Sequence, residues 1–282
     1  PRASRYQRSW PSHEAASFRN AAPTLDVGRF RSARISSRRT AGSGSSTSVS
    51  SRSRFARAAA GFLVSERSMP FSIIVDAAGA RFANESESYV DLGHHMLEHS
   101  ASVPGRYWMI TDARHAHRYL RSYALDPKAN KARVEEGIEF QAPTLGELAR
   151  RLGIDPLALK ETVDRFNGFA RTGIDQDFGR GNSAYDRYYS DPLVRPNPNL
   201  GTLEKGPFTA VEIVPGDLGT KGGVLADEFA RALREDGSVI EGLYAAGNVS
   251  ASVMGHTYPG PGSTLGPATV FGYIAAKHLA GR

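Results

Sequence analysis

The chain of 282 residues predicts an α+β fold: a mixed domain over roughly 62–219, closed by a strand, a glycine loop and a helix over 220–282. Three observations carry this. Phe71-Ser-Ile-Ile-Val-Asp76, Tyr107-Trp-Met-Ile-Thr-Asp112 and Phe208–Val214 are short runs rich in β-branched and aromatic residues, which read as strands. Two helices with start and stop signals lie between the second and third. Near the C-terminus the apolar run Leu243-Tyr-Ala-Ala246 stops at Gly247-Asn248, and Gly255, Pro259, Gly260, Pro261 and Gly262 forbid regular structure before a final apolar helix.

Composition narrows the function classes. The net charge of +6 is uneven: residues 1–60 hold 12 Arg against Glu14 and Asp26, and the rest of the chain is net −4. The basic balance therefore belongs to the leading segment, which removes the main argument for nucleic-acid binding. With no cysteine there is no disulfide, thiolate metal site or cysteine nucleophile. No apolar run reaches the roughly 18 residues that span a bilayer, so stable membrane insertion is not expected. The expectation is a soluble, cytoplasmic protein.

Residues 1–61 are rich in Arg and Ser and show no sustained apolar period, so they read as disordered or non-homologous. Arg38-Arg39 lacks the apolar core of a twin-arginine signal, while the Arg and Ser content also suits a transit peptide or a basic arm. The chain begins at Pro1 and its composition changes sharply near Phe62. That step is what a misread frame, or a wrong start joined to a truncated gene, leaves behind.

After the first strand comes Arg81-Phe-Ala-Asn-Glu-Ser-Glu-Ser-Tyr89, a polar stretch ending in a phenol. His94, His95, His99, His115 and His117 lack the His-Glu-x-x-His pattern and a third ligand, so they read as solvated and no metal is expected. Thr144 caps a helix over Leu145–Leu152, with Glu147 completing a capping box and Gly153 as its stop. Asp155 caps the next, with Pro156 at its first position, a buried stripe of Leu159, Val163 and Phe166, and Asn167-Gly168 weakening its end. Residues 171–206 form a long loop whose Tyr185, Tyr188 and Tyr189 suit a packed lid. The strand from Phe208 ends at Pro215, Asp227–Arg234 is short helix or irregular, and Glu235-Asp-Gly237 turns the chain into Val239-Ile240. From about Thr264 the sequence runs to His278 without a charge until Lys277, as a buried helix does. A helix start preceded by glycines offers free N–H groups and a partial positive charge to an anionic group.

Thr220-Lys-Gly-Gly223, Gly242-Leu-Tyr-Ala-Ala-Gly-Asn248 and Met254-Gly-His-Thr-Tyr-Pro-Gly-Pro-Gly-Ser-Thr-Leu-Gly-Pro267 together resemble the FAD-dependent 3-oxosteroid dehydrogenases, above all the 1-dehydrogenases, in the fumarate reductase/succinate dehydrogenase flavoprotein superfamily. The resemblance covers roughly 62–282. It implies a substrate (cap) domain over 62–219, followed by the C-terminal part of a Rossmann-like FAD-binding domain over 220–282. It also implies roles. The Tyr258 hydroxyl and the Gly262 N–H would bind the C3 carbonyl of a 3-oxosteroid, Tyr89 would take a proton from C2, and the flavin would accept hydride from C1. A free phenol titrates near pH 10, so Tyr89 is a poor base unless its surroundings lower that value. Thr220, Gly222, Gly223, Gly247, Asn248, Thr264 and Leu265 would line the FAD site, the last two through their N–H groups at the pyrimidine edge. The electron acceptor is left open.

The family's strand–Gly-x-Gly-x-x-Gly–helix unit, which holds the FAD pyrophosphate, does not precede residue 62 in these 282 residues. The N-terminal βαβ half is read as missing and the chain alone as impaired. The alternatives are a 3-oxosteroid 4-dehydrogenase acting on 5α-steroids and an inactive gene fragment. A fumarate reductase is disfavoured, because Tyr258-Pro259 stands near the place of that branch's carboxylate-clamping arginine.

Overall fold

A computed structural model describes residues 43–49, 63–119, 127–255 and 257–281. Its centre is an antiparallel sheet ordered β1 (Ser43–Val49), β5 (Phe208–Thr220), β3 (Tyr107–Thr111), β2 (Ser72–Val75), with β4 (Glu139–Ala142) also paired to β5. Tyr107 pairs with Ile213 and Thr111 with Thr209, while Ser72 pairs with Thr111 and Val75 with Trp108. The alternation of side chains along each strand separates two apolar layers. Ile73, Val75, Trp108, Ile110 and Ala210 face one layer, packed against α4 (Leu145–Leu152) and α5 (Pro156–Thr172). Ile74, Tyr107, Met109, Val211 and Ile213 face the other, under α1 (Tyr89–Ser102) through Leu92 and Met96. Both faces are covered, so every residue of β2 and β3 is buried. Two shorter helices, α2 (Ala113–Arg118) and α3 (Pro127–Glu135), lie outside the predicted elements.

The Thr144 and Asp155 caps form as the sequence predicts, but among the described residues Glu147 does not bond back to the Thr144 N–H, so the capping box is only half made. Thr144 Oγ1 accepts the Glu147 N–H at 3.2 Å, and Gly153 ends α4 in the left-handed conformation. Asp155 accepts the Leu157 N–H at 2.9 Å. α5 runs past Asn167-Gly168 to Thr172, because Asn167 does not compete with its own helix. Its buried amide instead accepts the Leu203 N–H at 2.7 Å and donates to the Leu203 carbonyl at 3.3 Å.

Several expectations are corrected. Within the segment read as disordered, the backbone of Ser43–Val49 pairs with Ile213–Thr220. Strand addition needs only main-chain groups, and β5 continues through Pro215 to offer them. Beyond Ile213 only β1 pairs with it, and proline is tolerated at such an edge. Asp227–Arg234 contributes β6 (Arg231–Leu233), antiparallel to β7 (Val239–Tyr244). Asp227 Oδ1 takes the N–H groups of Phe229 and Arg231, which fixes a turn where a helix would otherwise start. The closing helix α7 (Leu265–Leu279) forms, but Ala275 is its one buried residue among those described. Leu265 is 75% exposed and Tyr273 65%. β6 and β7 make only a two-stranded sheet, too small to cover it. Leu243, predicted as strand interior, is likewise exposed.

The span 171–206 is mostly irregular around the short helix α6 (Ala184–Tyr188), yet it is packed through buried polar groups. Arg180, fully buried, bonds the Ser72 carbonyl at 2.7 Å, the Met69 carbonyl at 2.9 Å and Ser86 Oγ at 3.0 Å. Glu85 takes both arms of Arg81 at 2.7 Å and lies 3.2 Å from Arg180, while Arg81 also reaches Asp175 at 2.9 Å. Burial alone would raise the Glu85 carboxyl, but the two guanidiniums outweigh it and hold it below the usual range.

Removing Glu85 leaves two buried cations with less compensation. Glu85→Ala is expected to cost about 3–5 kcal/mol, read as a lower urea midpoint at unchanged slope. A loss under about 1 kcal/mol would contradict this role. Because the folded value is depressed, the Glu85 contribution is fully present above the unfolded carboxylate value of about 4.3 and is lost as pH falls through the folded one. The wild-type advantage over Glu85→Gln therefore shrinks in acid.

Candidate functional site

Tyr89 is the first residue of α1, and its position is set from both sides of the chain. The preceding turn is tied to 171–206. Asn84 Nδ2 donates to Asp186 at 3.0 Å, and the buried Asn199 amide donates to the Ser68 carbonyl at 3.0 Å, Ser86 Oγ at 3.2 Å and the Asp186 carbonyl at 2.7 Å. Ser88, the residue before the helix, provides no side-chain cap. The strand, the buried polar cluster and the helix start thus fix the phenol that the sequence singled out.

Tyr258 comes from the glycine loop and meets Tyr89 with ring centres 4.8 Å apart and planes tilted by 41°. Burial, followed by the adjoining Tyr258 and then the phenols Tyr185 and Tyr189, pushes Tyr89 well above the ordinary phenol value. A phenol acting as a base needs the opposite shift, and so a compensating positive charge. Tyr185 and Tyr189, predicted as lid residues, do stand near the pair, and burial pushes both of them up as well. Arg67, completely buried, opposes that shift at both.

The loop that carries Tyr258 suits close approach by a ligand. Gly262 has φ +95°, and a Cβ built there would meet nothing within 4 Å. Its N–H has no acceptor among the described residues. The N–H groups of Thr264 and Leu265, at the start of α7, are likewise without an acceptor there, and Thr264 gives no side-chain cap. Such a helix start favours an anionic or electron-rich edge.

The glycines named from the sequence converge on the same region. Residues 221–224 run parallel beside 249–252, with Val224 N–H bonded to the Val249 carbonyl and Ala251 N–H to the Val224 carbonyl, both at 2.9 Å. Gly223 is required for this approach, since a Cβ would lie 2.5 Å from the Val249 carbonyl oxygen. Gly222 faces open space. Gly247, at φ +71°, packs against Ala268 of α7, and Asn248 is exposed beside it. Thr220 is placed by its backbone, which pairs with Ser43. An exposed glycine cradle leading to a free helix start fits the ring end of a flavin, which has an extended planar face and a hydrogen-bonding edge.

The histidines are not uniformly solvated. His115 is buried, with Nε2 2.9 Å from the Glu66 carbonyl and its ring against Tyr119. His99 bonds Asp76 at 3.0 Å and stacks on Phe82, and His95 bonds Glu87 at 2.7 Å. Among the described residues no group of three metal-ligating side chains converges, and no helix is long and apolar enough to cross a membrane. One neighbour of the tyrosine pair was not visible in the sequence motifs: the Lys221 ammonium, 5.7 Å from the centre of the Tyr258 ring.

Comparison with known proteins shows the family. The FAD binding domain family matches residues 48–265. The 3-oxosteroid 1-dehydrogenase of Mycobacterium tuberculosis is 53% identical over 226 residues, which is 78% of this chain and 40% of that enzyme. The 4-oxocyclohexanecarboxylate 2-dehydrogenase of Sinomonas cyclohexanicum is 44% identical over 221 residues, covering 77% and 38%. The crystal structure of the 3-ketosteroid delta1-dehydrogenase of Sterolibacterium denitrificans, in complex with 1,4-androstadiene-3,17-dione, superposes with a TM-score of 0.76 at 39% identity. That superposition covers 85% of this chain and 43% of the other. The chain thus spans about two fifths of the length of the relatives it matches. With the family matched over most of its length, the chain belongs to the FAD binding domain family of oxidoreductases, whose cofactor is FAD.

Proposed function

We propose that the chain carries the ketone-binding and flavin-facing residues of a 3-oxosteroid 1,2-desaturase. The observation that carries this reading is the contact between Tyr89 and Tyr258 beside the open N–H of Gly262. The Tyr258 hydroxyl and the Gly262 N–H would donate to the C3 carbonyl and stabilise the enolate that develops there. Tyr89, as phenolate, would remove the C2 proton and become neutral. FAD, when bound, would accept the C1 hydride, leaving a 1,2 double bond. Two relatives named for dehydrogenation of a cyclic ketone, one a steroid and one a simple ring, support a site built around the ketone.

Two phenols suit a neutral carbonyl. A dicarboxylate would call for a bidentate guanidinium, and among the described residues no arginine bonds to or stacks on Tyr258. The flavin-facing surface is exposed at Gly222, Gly223, Asn248 and Leu265. We therefore propose that the 282-residue chain retains FAD weakly.

Supplied with FAD, a dye acceptor and 4-androstene-3,17-dione, the chain is expected to form the 1,4-diene, and Tyr258→Phe to lower the rate about 10²–10³-fold. A product from a 5α-reduced 3-oxosteroid that is unsaturated at C4–C5 would instead assign 4-dehydrogenation. No steroid product with saturating FAD would favour an inactive fragment. Purified without added flavin, the chain is expected to carry well under one FAD per chain by visible absorbance; stoichiometric flavin would overturn the weak-retention reading.

A further inference from the structure

Lys221 follows β5 and has no role in the site described so far. Its ammonium donates to the Thr257 carbonyl and, at 3.5 Å, to the Gly255 carbonyl, two main-chain oxygens of the segment that carries Tyr258. The Ser252 N–H donates back to the Lys221 carbonyl at 2.9 Å. The same ammonium stands 5.7 Å from the centre of the Tyr258 ring, which is itself 4.8 Å from that of Tyr89. Asp91, in the first turn of α1, lies within electrostatic range of it.

We propose that Lys221 is a positioning residue, which fastens the 255–258 loop over the start of α1 and places a cation against the Tyr89–Tyr258 pair. The chemical purpose rests on the desaturation reading, in which Tyr89 acts as a phenolate. Tyr185 and Tyr189, on and just after α6, disfavour a negative charge at Tyr89, and Arg67 favours one at those two phenols. Asp91, on α1, favours the charged form of Lys221, and an ammonium beside Tyr258 favours a negative charge on the phenols it adjoins. An opposite charge in direct contact shifts a phenol by about one to three pH units; Lys221 adjoins Tyr258 rather than Tyr89 and is partly exposed, so its effect on the pair is expected at the lower end, about one unit. The carbonyl contacts need a donor, but this electrostatic effect needs a charge. Arginine keeps both, glutamine keeps a donor alone, and methionine keeps neither.

The test is a near-ultraviolet phenolate titration of the full chain carrying Lys221→Arg, Lys221→Gln or Lys221→Met, each with and without Tyr89→Phe to isolate the pair's transition. The Tyr89-dependent transition is expected to move up by about one pH unit in the Gln and Met variants and to stay in place with Arg. The ascending limb of the desaturation pH profile should move with it. A Gln variant, folded by circular dichroism, whose transition coincides with that of wild type would overturn the proposal and leave Lys221 as a loop fastener alone. If wild type makes no steroid product but the transition still moves, the desaturation reading fails and the placement of the cation stands.

Discussion

The buried carboxylate of Glu85, shared between Arg81 and Arg180, is the interaction on which the rest of this structure depends. Isolated in the interior, any one of these charges would be expensive; together, with Asp175 on Arg81 and five main-chain or hydroxyl oxygens on Arg180, they are satisfied. The cluster joins the turn before α1 to the irregular span after α5. That union determines where α1 begins, and α1 begins with Tyr89. It also holds Tyr185 and Tyr189 beside the same phenol. A scaffold of ion pairs at this point gives a defined geometry to a stretch that has few apolar residues of its own.

On this frame the site is a balance between burial and charge. Burial, Tyr258 from the glycine loop and the phenols of the 171–206 span all push Tyr89 toward its neutral form. Against this stand an open N–H at Gly262 and the ammonium of Lys221 beside Tyr258. In the proposed reading the two halves are complementary: one would supply the proton acceptor, the other the donors and a charge that favours such an acceptor. The exposed start of α7 then lies where an electron-rich ring edge can approach without displacing protein.

Local chemistry was legible in the sequence where it was self-contained. Thr144, Asp155 and Gly153 mark their helices because a cap is decided within three or four residues. α1 was not legible: Ser88 makes no cap, and the helix is held by contacts with residues far along the chain. Asn167 looked like a stop and is a tertiary anchor, and Asp227 looked like a helix start and fixes a turn. Of the site, the glycine loop and the helix start could be read from spacing. The meeting of Tyr89 and Tyr258 could be inferred only through family resemblance, since nothing local relates two residues so distant in sequence. Lys221 lies within the Thr220–Gly223 motif, but nothing local shows that its ammonium meets the Gly255 and Thr257 carbonyls, on which its proposed role rests.

Enolisation can be separated from hydride transfer, and it tests the central claim, that the two tyrosines act together on a ring ketone. A 3-oxosteroid incubated with the chain in deuterated buffer, without an electron acceptor, should exchange hydrogen at C2. Mass spectrometry would follow the label. The account predicts exchange above the buffer rate that disappears in both Tyr89→Phe and Tyr258→Phe. Steroid that binds but exchanges only at the buffer rate, or exchange that survives both substitutions, would contradict it.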